Sequence, residues 1–277
     1  MLSYFFIPAH KIDKISFIKS LEIDEIIIDF EDSVLEAERK ELFLDLIKLN
    51  NYKDFYYRIP VRNSFKDEIS LEFLDKVFAM GIHKVILPKL KSKSELKAIC
   101  KKYKHLKKIK FILLVEHPLL LIELTQIFQS KKMTSRIHGI GLGSHDLMNY
   151  VGAEHKEEQL FYPRIKLLYL GKSYGKEVID IASMNIYDKG VFEDEVKFGL
   201  EHGFDAKFMI HPQQIKWAHD YNSVRLKQIE WANSVVSSLS KEQLSKEVEP
   251  FILNGEVIEK PHVDKAFKIL KKYKNGK

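Results

Sequence analysis

The chain has 277 residues, 45% hydrophobic and 30% charged, with a formal net charge of +6 at pH 7. This composition provides for a large packed core and excludes a disordered or low-complexity protein. Lys and Arg are spread along the whole length, and no arm or helix gathers them between aromatics. That argues against nucleic-acid binding and for a lysine-rich, solvated surface able to attract an anionic substrate. Cys100 is the only cysteine, so no internal disulfide can form. It lies in a Lys-rich helical stretch without a patterned partner and is read as a packing residue. The opening run MLSYFFIPAH has no charged leader, and its apolar stretch is too short for a signal or a membrane span. A cytoplasmic protein without membrane association is expected.

Along the chain, short β-branched and aromatic runs alternate with longer amphipathic stretches. Strands are predicted at 3–7, 25–30, 55–59, 84–88, 110–115, 137–142, 177–181 and 207–210. Several are continuously apolar, as parallel strands covered on both faces are. Between them, residues 70–79 place Leu71, Leu74, Val77 and Phe78 on one helical stripe, and 94–103 and 119–128 repeat that period. Eight strands with seven helical connections predict an α/β fold, a (β/α)8 barrel spanning residues 1–222. A doubly wound open sheet is the competing architecture, but it would usually show a glycine-rich phosphate turn after an early strand, and none is present. Residues 223–277 form a C-terminal extension. It holds a helix at 226–239, a polar stretch, the segment 251–257 around an Asn254–Gly255 turn, and a last helix at 261–272 that opens on Pro261. Phe251, Ile252, Val257, Ile258, Val263, Phe267, Ile269 and Leu270 give this extension apolar surface, unfavourable in water at about 25 cal/mol per Å². It is expected to pack on the barrel or on a neighbouring subunit.

Barrel active sites form at the carboxyl ends of the strands. Here those ends carry residues that are costly to bury without partners or a metal. The second strand ends in Glu31 and Asp32, the third carries Arg58, the fourth ends in Lys89 and the fifth in Glu116. The sixth runs through Gly141 and Gly143 to Asp146, the seventh carries Asp180, and the eighth ends in His211. Each has a plainer reading when taken singly. Lys89 suits a surface lysine, His211 a loop-fixing residue, Gly141 and Gly143 a close backbone approach, and Asp146 a helix N-cap. Taken together, carboxylates at three strand ends and an arginine at another meet the needs of a hard-cation site acting on an anionic substrate. Oxygen ligands without patterned Cys or His point to Mg²⁺ or Mn²⁺. No His-Glu-x-x-His, Cys pair or Gly-x-Ser-x-Gly elbow suggests a zinc or serine hydrolase.

An ordered set of motifs runs along almost the whole chain. It comprises Ile7-Pro8-Ala9-His10-Lys11, Asp29-Phe30-Glu31-Asp32-Ser33-Val34, Arg58-Ile59, Leu87-Pro88-Lys89, Val115-Glu116 and Gly143-Ser144-His145-Asp146-Leu147. Ile179-Asp180, Gly203-Phe204-Asp205-Ala206-Lys207, Ile210-His211-Pro212-Gln213-Gln214-Ile215 and the tail run from Asn254 through Glu259 to His262 follow. The set resembles the aldolase/citrate lyase family of citrate lyase β subunits and malyl-coenzyme A lyases. The resemblance implies Glu116 and Asp146 as Mg²⁺ ligands, with Glu31 or Asp32 holding ligated waters. It makes Arg58 a forked donor to a developing enolate or a carboxylate. Arg58, Asp32, Glu31 and Glu259 are then the expected catalytic residues. Arg58, Lys89, Lys11, Gly143, Ser144, Asp180 and His211 are expected to bind substrate.

The implied activity is carbon–carbon lysis, or the reverse condensation, on a 2-hydroxy or 2-oxo acid carried as a coenzyme A or acyl-carrier thioester. A homo-oligomer is implied, a trimer or hexamer, in which Glu259 reaches a neighbouring subunit's site; companion lyase subunits are further candidate partners. The sequence departs from the family pattern at three elements. Lys11 replaces the usual arginine, and the two are not interchangeable at a bidentate contact. Glu259 replaces an aspartate, and His10 and His145 are also unusual at their positions. Two other readings stay open: an aldolase on a free 2-oxo acid, and a non-catalytic barrel subunit of a lyase complex.

Overall fold

Successive side chains of a strand point to opposite faces, so a run apolar at every position buries both. Eight strands, each with an apolar stretch, pair here in the computed structural model, which describes residues 1–63, 66–220, 222–239 and 248–274. They are β1 (Leu2–Pro8), β2 (Glu25–Asp29), β3 (Tyr56–Arg58), β4 (Lys84–Leu87), β5 (Lys110–Val115), β6 (Ile137–Leu142), β7 (Glu177–Asp180) and β8 (Ala206–Met209). All are parallel and in chain order, and β1 pairs with both β2 and β8, closing the barrel. Every predicted strand is present. On the inner face Tyr4, Ile27, Tyr56, Ile86, Ile112, Ile179 and Phe208 form one buried cluster. Gly141 is needed there, because a Cβ at that position would lie 2.5 Å from the Phe208 ring.

Each of the seven connections carries at least one helix, and those after β5 and β6 carry two. In chain order they are α1 (Ile15–Lys19), α2 (Arg39–Leu46), α3 (Glu72–Ala79), α4 (Lys93–Lys102), α5 (Pro118–Gln129), α6 (Lys131–Thr134), α7 (Ser144–Val151), α8 (Glu157–Ser173) and α9 (Lys189–His202). The stripe predicted on α3 is the face it buries, through Leu74, Val77 and Phe78. The Ser92 hydroxyl caps α4 by accepting the Glu95 N–H. Pro118 opens α5, where its missing N–H costs nothing. Among the described residues no helix is long and apolar enough to cross a membrane.

The seventh strand overturns one expectation. Ile179 faces the barrel axis, so its neighbour Asp180 faces outward into the helical layer. There Arg164 of α8 donates from Nε and Nη2 to the two Asp180 oxygens, at 3.0 and 2.7 Å, and both side chains are fully buried. The guanidinium also lies 3.7 Å from the centre of the Phe198 ring. Asp180 therefore ties α8 and β7 together and does not reach the barrel mouth.

The chain divides into two compact units, Met1–Lys216 and Trp217–Lys277; α10 (Pro212–Asp220) crosses that boundary. The second unit contains α11 (Asn222–Ser237), the hairpin β9 (Phe251–Leu253) and β10 (Glu256–Ile258), and α12 (Lys260–Lys274). Asn254 and Gly255 turn the hairpin with φ of 52° and 85°, the positive values a type I′ turn requires. Ala232, Val235, Leu239, Ile258, Val263 and Ala266 build a small core of the unit's own. Part of the extension's apolar surface is thus buried within the extension itself, while Ile252, Val257 and Phe267 stay exposed.

Candidate active site

At the carboxyl ends of the strands lies a cavity of about 310 Å³. Phe6, Leu114, Leu142, Phe208 and Ile210 give it an apolar lining, and Asp29, Asp32, Arg58, Glu116, Ser144, His145 and Asp146 are its polar groups. Register creates its first contact, since Asp29 of β2 and Arg58 of β3 are directly paired residues. Arg58 donates from Nε and Nη2 to the two Asp29 oxygens, each at 2.7 Å. Its Nη1 donates to Asp32 Oδ2 at 3.1 Å and lies 3.3 Å from Glu31 Oε2. Burial opposes the Arg58 charge, but Asp29, Glu31 and Asp32 more than compensate and raise its pKa. The guanidinium plane is therefore fixed before any ligand arrives. Asp29 was not among the expected site residues. The strand alternation that turns Ile27 inward also turns Asp29 inward, and that period was the signal for it.

Lys89, just past β4, has φ of 52°, a conformation that costs a residue with a Cβ on the order of 1 kcal/mol or more. The conformation serves three contacts. The backbone N–H donates to Glu116 Oε2 at 2.5 Å, and Nζ reaches Glu31 Oε1 at 2.7 Å and Asp32 Oδ1 at 2.5 Å. Burial pushes Glu31 up to about 7; Arg58 pulls against this, while a hydrogen bond with Asp32 adds to it. Asp32 moves the other way: burial would raise it, but Glu31, Arg58 and Lys89 hold it below the usual carboxylate range.

Glu116 is 5% exposed. Burial and then Glu31 raise its pKa well above the ordinary value, with Asp146 adding to the effect. Its neighbour at 143 must be glycine, because a Cβ there would lie 2.2 Å from Glu116 Cγ. Gly143 is also the N-cap of α7, so Asp146 sits within the helix's first turn and is not its cap. Asp146 makes no hydrogen bond or ion pair among the described residues. It lines both the main cavity and a smaller one of about 200 Å³ beside Arg62, Lys89, Lys91 and His117. Glu116 shares both linings. Ser144 Oγ lies 2.8 Å from His155 Nε2, and the His145 and His155 rings stack at 3.6 Å.

Among the described residues no three His, Cys, Asp or Glu side chains converge as a ready ligand cage. The donor set still fits a hard cation. Glu116 and Asp146 line one cavity, and Oε2 of the buried Glu31 has no hydrogen-bond partner. Mg²⁺ is commonly held by one or two carboxylates, with waters and substrate oxygens completing its shell.

Besides Asp180, two expected site residues stand away from the cavity. Lys11 is exposed in the 3-10 segment Ala9–Lys14 after β1 and does not line the cavity, and neither does His10. His211 fixes the start of α10: its N–H donates to Gln214 Oε1, and its ring Nδ1 accepts from the Gln213 N–H, both at 3.2 Å. The residue beside it, Ile210, is the one that lines the cavity. Glu259, expected at a neighbouring copy's site, is exposed, its N–H donating to His262 Nδ1 at 3.0 Å at the start of α12.

Comparison with known proteins places this site in context. The model of the HpcH/HpaI aldolase/citrate lyase family matches residues 2–212. Citrate lyase subunit beta of Haemophilus influenzae is 25% identical, with 99% of this chain and 97% of that protein covered. The mitochondrial citramalyl-CoA lyase of Homo sapiens is also 25% identical, over 94% of this chain and 82% of that protein. A crystal structure of the protein CitE from Mycobacterium tuberculosis, in complex with magnesium, acetoacetate and coenzyme A, superposes with a TM-score of 0.75. It covers 98% of this chain and 97% of its own at 20% identity, a likeness that speaks for the fold.

Proposed function

The chain belongs to the HpcH/HpaI aldolase/citrate lyase family, and from that membership we propose that it is a Mg²⁺-dependent carbon–carbon lyase. Its substrate is the coenzyme A or acyl-carrier thioester of a 2-hydroxy or 2-oxo acid. The observation that carries this reading is the pre-set Arg58 fork on the same cavity as Glu116 and Asp146. The lyase names of the bacterial and human relatives support it.

Glu116 and Asp146 would hold the Mg²⁺. When bound, the ion supplies Lewis-acid polarisation of a substrate carboxylate and its adjacent oxygen. The chain's own groups do the rest. Asp29 holds the Arg58 plane, so Arg58 meets negative charge that develops on the thioester oxygen without reorganising. Glu31, pushed up to about 7 by burial, can take a proton near neutral pH. In the cleavage direction Glu31 takes up the substrate hydroxyl proton, the carbon–carbon bond breaks with its electron pair passing into the thioester enolate, and a proton is returned from Glu31 to the thioester carbon. Asp32 and Lys89 hold Glu31 and Arg58 in place. Apolar Phe6, Leu114 and Phe208 keep water from that carbon. Ser144 and the Gly143 backbone border the site on the α7 side. Glu259, in a homo-oligomer, would serve a neighbouring copy's site as a proton donor; the native mass by light scattering tests that assembly.

The metal assignment is tested with Glu116→Gln. Mg²⁺-dependent binding of a 2-oxo acid such as oxaloacetate, measured by calorimetry, should disappear while the circular dichroism spectrum is kept. Unchanged binding would rule the assignment out. The placement of Lys11 away from the cavity favours a second reading, an aldolase on a free 2-oxo acid. Turnover of the free acid with no turnover of thioesters would select it.

A further inference from the structure

The helical layer carries a cavity that the catalytic site does not use. Between α4 and the α5–α6 corner lies a groove of about 710 Å³, against about 310 Å³ for the cavity at the barrel mouth. Lys93, Lys97, Lys101, Lys104, Lys132 and Arg136 line it, and no Asp or Glu does. Two of these cations are engaged within the protein. Lys93 Nζ bonds Gln126 Oε1, and Arg136 donates to the carbonyl oxygens of Lys104 and Leu106. The ammonium groups of Lys97, Lys101, Lys104 and Lys132 have no partner among the described residues.

This arrangement works against the stability of α4. Lys93, Lys97 and Lys101 recur every four residues, so they form one stripe, and like charges at that spacing destabilise a helix. Charge pairing occurs on other faces of the same helix. Lys102 pairs with Asp75, and Glu95 pairs with Arg62. The face left wholly cationic is the one that borders the groove. The floor is different again: Cys100 and the buried Met133 are soft and apolar, and Gln126, Ser130 and Ser135 add hydrogen-bonding groups at the edge.

We propose that this groove is a binding site for a small phosphate-rich anion of nucleoside polyphosphate size, separate from the active site. The volume falls within the usual range of small-molecule sites, about 300–1,000 Å³. Lysine ammoniums act as point charges and suit a chain of phosphates, whereas a lone carboxylate is better matched by a planar Arg fork. The one Arg fork present is occupied by backbone carbonyls. The Cys100–Met133 floor offers a surface for a flat nucleobase. The proposal does not rest on the lyase reading, because the two cavities share no residue.

The chain supplies its own reporter. Cys100 is the only cysteine and lines the groove, and burial pushes its thiol up to about 11, so labelling is slow and easily modulated. The full-length protein is titrated with ATP and with inorganic triphosphate in EDTA, so that no divalent cation links them to the barrel mouth. Calorimetry at about 0.15 M salt should show one saturable site. Affinity should fall about tenfold or more in Lys97→Glu/Lys101→Glu, as reversal of two contacting charges demands, and Glu116→Gln should leave it unchanged. Saturating ligand should slow disulfide-reagent labelling of Cys100 severalfold in the wild-type protein, a readout that needs no variant. Equal affinity for triphosphate and ATP supports recognition of the phosphates alone, and tighter ATP binding supports a base on the floor. The proposal is overturned by absence of saturation, undiminished affinity in the charge-reversed variant, or unprotected Cys100. Tighter binding of a single-stranded oligonucleotide than of ATP also overturns it.

Discussion

Replacing Asp180 with Asn tests whether that carboxylate is structural. Arg164 and Asp180 are each 0% exposed, and two hydrogen bonds of 3.0 and 2.7 Å join them. Removing one charge of such a pair leaves the other buried and uncompensated, which costs about 3–5 kcal/mol. Glu157 still reaches Arg164 Nη1 with both oxygens, at 2.7 and 2.5 Å, but its side chain is 51% exposed and screened by water. The loss should therefore sit near the lower end, about 3 kcal/mol. For a barrel of this size each kcal/mol shifts Tm by roughly 2–4 °C, so Asp180→Asn should melt roughly 10 °C below the wild type. Arg164→Met/Asp180→Leu removes both charges and should recover most of that loss. Thermal melts give the stability, and calorimetry with Mg²⁺ and oxaloacetate gives the site. A variant that keeps its Tm but loses ligand affinity would refute the structural role and return Asp180 to substrate binding.

Gly143→Ala should drive its new Cβ into Glu116, whose Cγ and Oε1 lie 2.2 and 2.5 Å from that position. Overpacking of this kind costs about 1–3 kcal/mol, and Mg²⁺-dependent ligand binding should weaken with it; unaltered binding would mean that Glu116 has room to move. His138 titrates below its ordinary value because of burial and then Lys110, with Lys176 and Lys84 adding and Glu25 opposing. Its folded pKa is depressed, so the unfolded chain takes the proton first, and this contribution to stability is present above about pH 6.5 and lost as pH falls below it. Urea denaturation between pH 5 and 7.5 should show a shallower acid slope in His138→Gln, and parallel slopes would contradict the assignment.

The strands and helices were legible because their signals are local. Continuous apolar runs mark strands buried on both faces, and the stripe of Leu74, Val77 and Phe78 marks the inner face of α3. The eightfold alternation then leaves few topologies for a parallel sheet. Much of the mouth was legible too, since Asp32, Arg58, Glu116 and Asp146 stand at strand ends and line one cavity. What remained hidden depends on which way a side chain points and on what distant residue it meets. Asp29 and Asp180 both end strands, yet Asp29 turns to the axis and clamps Arg58, while Asp180 turns outward and is neutralised by Arg164. The close fit of Gly143 against Glu116 joins residues far apart in the chain, and Lys89 aims its N–H at Glu116 only through its left-handed backbone. In the extension the apolar residues were plain, but α11, the hairpin and α12 meet each other in a core of their own. Period and composition belong to neighbouring residues, so the sequence carries them by itself. Register, facing and partnership are set only when the barrel closes, because closure is what brings residues remote in the chain into contact.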